Sequence, residues 1–166
     1  LVLILKIGYF MNPNIVIIIV IFAVIILFPS LKRIIKNIKI EGSNSIHIAC
    51  LYGDIKKIKE FLNAGVNINS KDFSNKTPLM YAAEDGAIEI LNYLLKNGAN
   101  INDIDIRGES ALIIALKNHN IKAAKFLIEN GADLSIINEE DKNALTIAKE
   151  IDSKEIIELI NNKINS

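Results

Sequence analysis

Few side chains in this sequence could do chemistry, and they are widely spaced. Among 166 residues there are two histidines, His47 and His119, and one cysteine, Cys50. A metal or catalytic site needs several polar groups that converge on one point, and no carboxylates stand at ligand spacing from either histidine. A single cysteine leaves no internal disulfide. We therefore expect no catalytic residue, no metal, no cofactor and no small-molecule substrate, and hence no enzyme.

A calcium loop is the next candidate, at Asp103, Asp105 and Gly108. Loops of the EF-hand type place oxygen ligands at alternate positions and end in a bidentate glutamate. The isoleucines and the arginine between these three residues break that pattern. A tight hairpin-like turn is the favoured interpretation.

The charges are unevenly distributed along the chain. Of the 19 basic and 19 acidic residues, five basic and one acidic lie before residue 43, which leaves 14 basic and 18 acidic after it. A nucleic-acid-binding surface needs clustered lysine and arginine, whereas the larger part of this chain carries a net charge of −4. Nucleic acid is therefore not expected as a partner.

The N-terminal part is strongly apolar. Ile15 to Phe28 are 14 consecutive apolar residues, and a spanning helix needs about 17–25. Extension to Met11 and Leu31 supplies that length, so we predict a single transmembrane helix at 11–31. A basic linker at 32–42 follows, and basic flanks stay on the cytoplasmic side. Residues 1–10 would then be extracytoplasmic, or upstream sequence if the natural start is Met11.

The remainder of the chain repeats with a period of 33 residues. Gly65, Gly98 and Gly131 are spaced in this way, and so are two further sets: the helix-capping residues Asn44, Thr77, Ser110 and Asn143, and the small residues Ala49, Ala82, Ala115 and Ala148. Side chains of the capping type accept hydrogen bonds from the first turn of a helix. A fixed period of this length is typical of stacked repeats.

Each repeat is predicted to contain two short helices. In the second repeat the first helix should run from about Pro78 to Glu84, with proline at the first helical position. The second should run from about Ile88 to Asn97, with apolar residues at helical spacing, and Gly98 should end it in a left-handed conformation. Neither helix is long enough to be stable alone, so stacking between repeats must supply most of the stability.

The segments Thr77–Gly86 and Leu94–Asn102 resemble the ankyrin repeat. The resemblance covers residues 43 to about 163 and implies an all-α solenoid of helix-turn-helix units joined by hairpin loops. We distinguish four units: 43–71, 72–104, 105–137 and 138–164. The outer two deviate from the pattern, as terminal caps do.

The resemblance also assigns structural roles to the unusual side chains. His47 aligns with Met80, at the position where ankyrin repeats commonly carry a histidine that braces the turn between repeats. Cys50 aligns with the inward-facing Ala83 and is predicted to be an inert core residue. Asn75 stands where the next unit has Gly108, so we expect a left-handed backbone there.

Ankyrin repeats bind partner proteins through a concave face formed by hairpin tips and first helices. The resemblance therefore implies a non-catalytic protein-interaction module, tethered to the membrane through residues 11–31, whose partner protein the sequence does not identify. The expected protein-binding residues are Leu51, Tyr52, Lys71, Phe73, Ser74, Lys76, Glu84, Asp85, Ile104, Ile106, Arg107, Glu109, Lys117, Asn118 and Ile137.

An alternative function remains open from the sequence. If the apolar segment were a signal sequence, the protein would be an exported ankyrin-repeat effector, periplasmic or secreted. The basic cluster lies after the apolar stretch rather than before it, and Phe28-Pro29-Ser30-Leu31 is a poor cleavage site. Both features favour the membrane anchor.

Overall fold

The structure, a computed structural model, describes residues 45–165. Within this range there are eight α-helices and no extended strand, apart from one isolated bridge between Ile104 and Ser110. The helices are α1 Ile46–Leu51, α2 Ile55–Asn63, α3 Pro78–Asp85, α4 Ile88–Lys96, α5 Ala111–Lys117, α6 Ile121–Glu129, α7 Ala144–Glu150 and α8 Lys154–Ile164. The expected all-α repeat fold is confirmed for this part of the chain.

None of the helices in residues 45–165 is long and apolar enough to span a bilayer. The predicted transmembrane helix at 11–31 and the linker at 32–42 lie outside the described residues.

The helices stack in two layers. The first helices of successive pairs, α1, α3, α5 and α7, pack against one another in order. Among the second helices, α4 packs on α6 and α6 on α8. A single apolar core runs through the stack, and Leu79, Leu94, Leu112, Leu127 and Ile156 are buried in it. Because each helix has at most 11 residues, the packing between units must hold this fold together.

The first helix of each unit begins at a capping residue, and two of the predicted caps are confirmed. Ser110 and Asn143 accept from the N–H groups of Ile113 and Thr146 as expected. The first cap was predicted at Asn44, and this was wrong: the side chain of Ser45 accepts from Ile48 N–H at 3.3 Å.

The prediction that the Thr77 side chain accepts a hydrogen bond from the first turn of α3 was also wrong. It occupies the cap position of α3, but its buried hydroxyl has no hydrogen-bond partner. Instead, the Thr77 backbone N–H donates to the sulfur of Met80 at 3.4 Å. Methionine stands at the position where the first unit has His47, and a thioether offers a weak acceptor and no donor.

The turns after the helices use the left-handed conformation that the glycine spacing predicted. Gly98 has φ of 90°, and Asn75, at the hairpin position where we expected it, has φ of 58°. His119 and Asp152 stand where the second unit has Gly86 and adopt φ of 57° and 52°. These two non-glycine residues therefore carry backbone strain.

Candidate protein-binding surface

One side chain organises each of the three hairpins that precede α3, α5 and α7. Asp72, Asp105 and Asn138 are spaced by 33 residues. In each case one side-chain oxygen accepts from the backbone N–H groups two and four residues further on, at 2.8–3.0 Å. This local bonding fixes the shape of each hairpin and turns the residues on either side outward.

Neighbouring hairpins are joined by backbone hydrogen bonds. The N–H of Ile106 donates to the carbonyl oxygen of Ser74 at 3.0 Å, and the N–H of Glu139 donates to that of Arg107 at 2.9 Å. The three hairpins thus form a continuous row in which equivalent residues are neighbours.

The outward side chains of this row are unusually apolar. Phe73 has a relative exposure of 109%, and Ile104, Ile106 and Ile137 have exposures between 44% and 59%. Exposed apolar side chains grouped on a rigid frame are characteristic of interaction surfaces. Tyr52, at the end of α1, is also exposed.

A chain of ion pairs lies beside the apolar residues. Three pairs are related by the 33-residue period: Lys76–Glu84 at 2.8 Å, Glu109–Lys117 at 2.7 Å and Lys142–Glu150 at 3.0 Å. The order of the signs is reversed in the middle pair. This alternation places opposite charges next to each other across units, and Lys117 also contacts Glu140 at 2.7 Å.

Hydrogen bonds to two carboxylates dominate the electrostatics of Lys117. The bond to Glu109, followed by that to Glu140, raises the pKa of the Lys117 ammonium above its usual value. Glu109 was expected to be an exposed contact residue, and the structure differs. Glu109 is buried and also lies 3.2 Å from the Arg107 guanidinium, so it positions two exposed cations rather than facing a partner itself.

The remaining expected contact residues differ in exposure. Lys71, Asp85 and Asn118 are exposed, whereas Leu51, Ser74, Lys76 and Glu84 are half-buried. Lys71 makes only a loose ion pair, 3.7 Å from Asp103. Asn118 donates to the carbonyl oxygen of Ile114 at 2.9 Å, which satisfies the end of α5.

The first two units are connected by a polar cluster that the sequence reasoning only partly foresaw. His47 Nε2 lies 2.9 Å from the carbonyl oxygen of Ser70, which supports the expected bracing role. The imidazole also meets the Tyr81 ring edge-to-face, with centroids 5.6 Å apart. The Tyr81 hydroxyl in turn donates to Asp72 at 2.7 Å. The ring contact had no sequence signal, because it depends on how the first two units stack. The Tyr81–Asp72 bond lies within the second unit and joins α3 to the hairpin before it.

The Tyr81–Asp72 bond shifts both pKa values in opposite directions. For Tyr81, burial and then the bond to the Asp72 carboxylate raise the pKa to about 12. For Asp72, burial raises the pKa, but the Tyr81 hydroxyl and the N–H groups of Lys76 and Ser74 outweigh it, and the pKa is lowered overall.

Cys50 has the structural role that its alignment predicted. Its side chain is completely buried, and burial raises the pKa of the thiol to about 12. The thiol therefore stays protonated and unreactive at neutral pH. Within residues 45–165 no group of three or more His, Cys, Asp or Glu side chains is placed to hold a metal ion.

Comparison with protein-family models gives two matches. A model described as ankyrin repeats (3 copies) matches residues 21–105, and one described as ankyrin repeats (many copies) matches residues 95–148. The first match begins inside the apolar N-terminal segment. Among curated proteins no match was found.

Proposed function

Because the chain belongs to the ankyrin-repeat family, whose members generally mediate protein–protein interaction without catalysis, we propose that it binds a partner protein through its hairpin row and first helices and is tethered to a membrane. One observation carries the binding proposal. Phe73, Ile104, Ile106 and Ile137 are exposed apolar side chains on a row of hairpins that hydrogen bonds hold in a fixed arrangement.

The rigidity of the row favours binding. A partner that binds preformed hairpins does not have to order them, so less conformational entropy is lost on association. Aromatic and large aliphatic anchors contribute most of the energy at such surfaces, while the polar residues around them exclude water. Phe73 is the strongest candidate for an anchor because its ring makes full contact with solvent.

The ion pairs beside the row support a role in orientation. Lys76, Lys117 and Lys142 already hold carboxylates of this chain, so their charges are largely neutralised before a partner arrives. Charged groups at the rim of an interface act mainly on association rate and specificity. We therefore assign the affinity to the apolar residues and the choice of partner to the surrounding charges.

Affinity capture tests the binding surface. The full chain and its Phe73→Ala/Ile106→Ala variant are used as baits, with Ile164→Ala as the matched control, since Ile164 is equally apolar and exposed but lies at the end of α8. We expect the double variant to lose the proteins that the parent and the control retain. Equal recovery by all three baits would overturn the assignment to the hairpin row.

The membrane tether is supported by the 14 apolar residues from Ile15 to Phe28 and the basic residues that follow. We place the protein as a single-pass membrane protein with its repeats in the cytoplasm. Alkaline carbonate extraction should leave it in the membrane pellet, and a reporter fused at Ser166 should be active in the cytoplasm. Full release by carbonate would overturn the tether, and an exported reporter would favour a secreted effector.

A further inference from the structure

A groove of about 370 Å³ lies between the second and third units, which we call the central groove. It is formed by α4, the turn that follows α4 and the residue that ends α6. The six residues that line it are Asn92, Leu95, Lys96, Ala99, Ile101 and Asn130. None of them belongs to the hairpin row or to a first helix, so the central groove is separate from the proposed binding surface.

A lysine occupies the equivalent position at the other two junctions between units. Lys59, Asn92 and Lys125 are spaced by 33 residues. The Lys59 ammonium crosses to the second unit and lies 5.4 Å from the centroid of the Tyr93 ring. The Lys125 ammonium crosses to the fourth unit and forms a 2.9 Å ion pair with Glu155. The shorter Asn92 side chain has no hydrogen bond within the 45–165 range, so the central junction lacks the crossing contact and its groove stays open.

The central groove carries a positive charge that no carboxylate of the described repeats neutralises. The Lys96 ammonium lines the groove, is exposed and has neither an ion pair nor a hydrogen bond within residues 45–165. The first unit has Asn63 at this position and the third has Glu129, so the cation is particular to this junction. Asn92 lies one helical turn before Lys96 on the same face, and its amide can donate to the same anion.

The floor of the central groove is apolar. Leu95, Ala99 and Ile101 are half-buried and pack against the core of the stack. An anion held by Lys96 would therefore lie beside a surface that suits an aliphatic side chain. The last residue of a polypeptide combines a carboxylate and such a side chain on one α-carbon.

We propose that the central groove binds the C-terminal carboxylate and the last aliphatic side chain of a partner peptide. Capture of a chain end is an established mode of peptide recognition. Pockets for free small molecules bury about 70–90% of the ligand, whereas every residue that lines this groove is half-buried or exposed. An open groove suits a ligand whose remaining length stays in solvent. The proposal goes beyond the proposed function, because it does not involve the hairpin row.

NMR titration of the full chain, labelled with ¹⁵N in a mild detergent, tests the ligand. The probes are the peptide acetyl-Gly-Gly-Leu with a free carboxylate, its C-terminal carboxamide, and acetyl-Gly-Gly-Gly with a free carboxylate. We expect the first peptide to shift the backbone amide signals of Lys96, Ala99 and Ile101, and the other two to bind more weakly. No shift with the first peptide, or equal affinity for its carboxamide, would overturn the proposal.

Substitution of the cation tests the site. Lys96→Met keeps most of the length of the side chain and should weaken binding of the leucine peptide about tenfold, the effect of losing one hydrogen bond to a charged group. Lys96→Arg should retain binding. Lys56→Met is the matched control, because Lys56 is also exposed and unpaired within residues 45–165 but lies on α2. An equal loss in the Met variants at positions 96 and 56 would overturn the assignment to the central groove.

The variant of the hairpin row separates the two proposals. Phe73→Ala/Ile106→Ala changes no residue of the central groove, so it should bind the leucine peptide as tightly as the parent. Loss of peptide binding in this double variant would place the peptide on the hairpin row and overturn the groove. Affinity capture through the hairpin row does not depend on Lys96, so either proposal can fail alone.

Discussion

Four non-glycine residues of the 45–165 range have a positive φ, which favours glycine: Asn75, His119, Asp141 and Asp152. His119 allows the energetic cost of this conformation to be measured. His119 adopts φ of 57° at the turn between α5 and α6 and is exposed. His119→Gly should therefore stabilise the protein, by about 0.5–1 kcal/mol after the added flexibility of the unfolded chain is counted. Urea denaturation measures the change, and His119→Ala serves as the control that keeps the strain. A glycine variant less stable than the alanine variant would contradict this account.

The capping residues Ser110 and Thr77 should respond differently to loss of the hydroxyl. Ser110 accepts from the N–H of Ile113, so Ser110→Ala should cost about 1 kcal/mol. The Thr77 hydroxyl is buried without a partner, so Thr77→Val, which keeps the shape, should be neutral or stabilising. Thermal unfolding of both variants checks the contrast, and equal destabilisation would show that the Thr77 hydroxyl finds a partner.

The pair of Asp72 and Tyr81 makes stability depend on pH at both extremes. The pKa of Asp72 is lowered in the folded protein, so its contribution is present above the unfolded pKa near 4 and is lost as the pH falls below it. The pKa of Tyr81 is raised to about 12, so its contribution is present below about pH 10 and is lost as the pH rises towards 12. Tyr81→Phe should remove the alkaline dependence and weaken the acid one, in which the N–H groups of Lys76 and Ser74 still act on Asp72. Tyr93→Phe, a control outside this cluster, should change neither.

The sequence predicted the helix ends well, because they depend on bonding between residues close together in the chain. The first helix of the second unit was expected at Pro78–Glu84 and ends one residue later, and the second was expected to end at Asn97 and ends at Lys96. Proline, capping side chains and glycine act within a few residues of the helix end, so their spacing alone locates it. Periodicity alone also indicated which helix faces are buried.

The sequence did not predict which side chains of the hairpins are buried. Glu109 was expected on the surface because ankyrin repeats vary there, yet it is buried and forms ion pairs with Lys117 and Arg107 of its own unit. The shift of the first cap from Asn44 to Ser45 also breaks the strict period. The period therefore predicts the start of α1 less well than the starts of α5 and α7.

The ion pair between Glu109 and Lys117 should matter more than a surface pair. Lys117→Met removes a cation from a buried carboxylate that would then keep only Arg107, and losing one partner of a buried charge is costly. We expect a loss of about 1–3 kcal/mol, measured by urea denaturation. Lys125→Met is the control, because Lys125 pairs with Glu155 between two exposed side chains, and exposed ion pairs contribute little to stability. Equal effects would mean that Arg107 compensates fully.

In a stack of repeats, the position of a destabilising substitution in the stack should determine how many helices lose protection. Each unit contacts only its neighbours, so a terminal unit can open alone while a central defect weakens both sides. Leu112→Ala in α5 and Ile156→Ala in α8 remove buried side chains of similar size, each at a cost of about 2–5 kcal/mol. Hydrogen exchange should then show lost protection from α3 to α7 for Leu112→Ala. For Ile156→Ala the loss should be confined to α7 and α8, because the first helices α1, α3 and α5 still stack on one another. A uniform loss in both variants would instead identify the repeats as a single cooperative unit, in which no end opens before the rest.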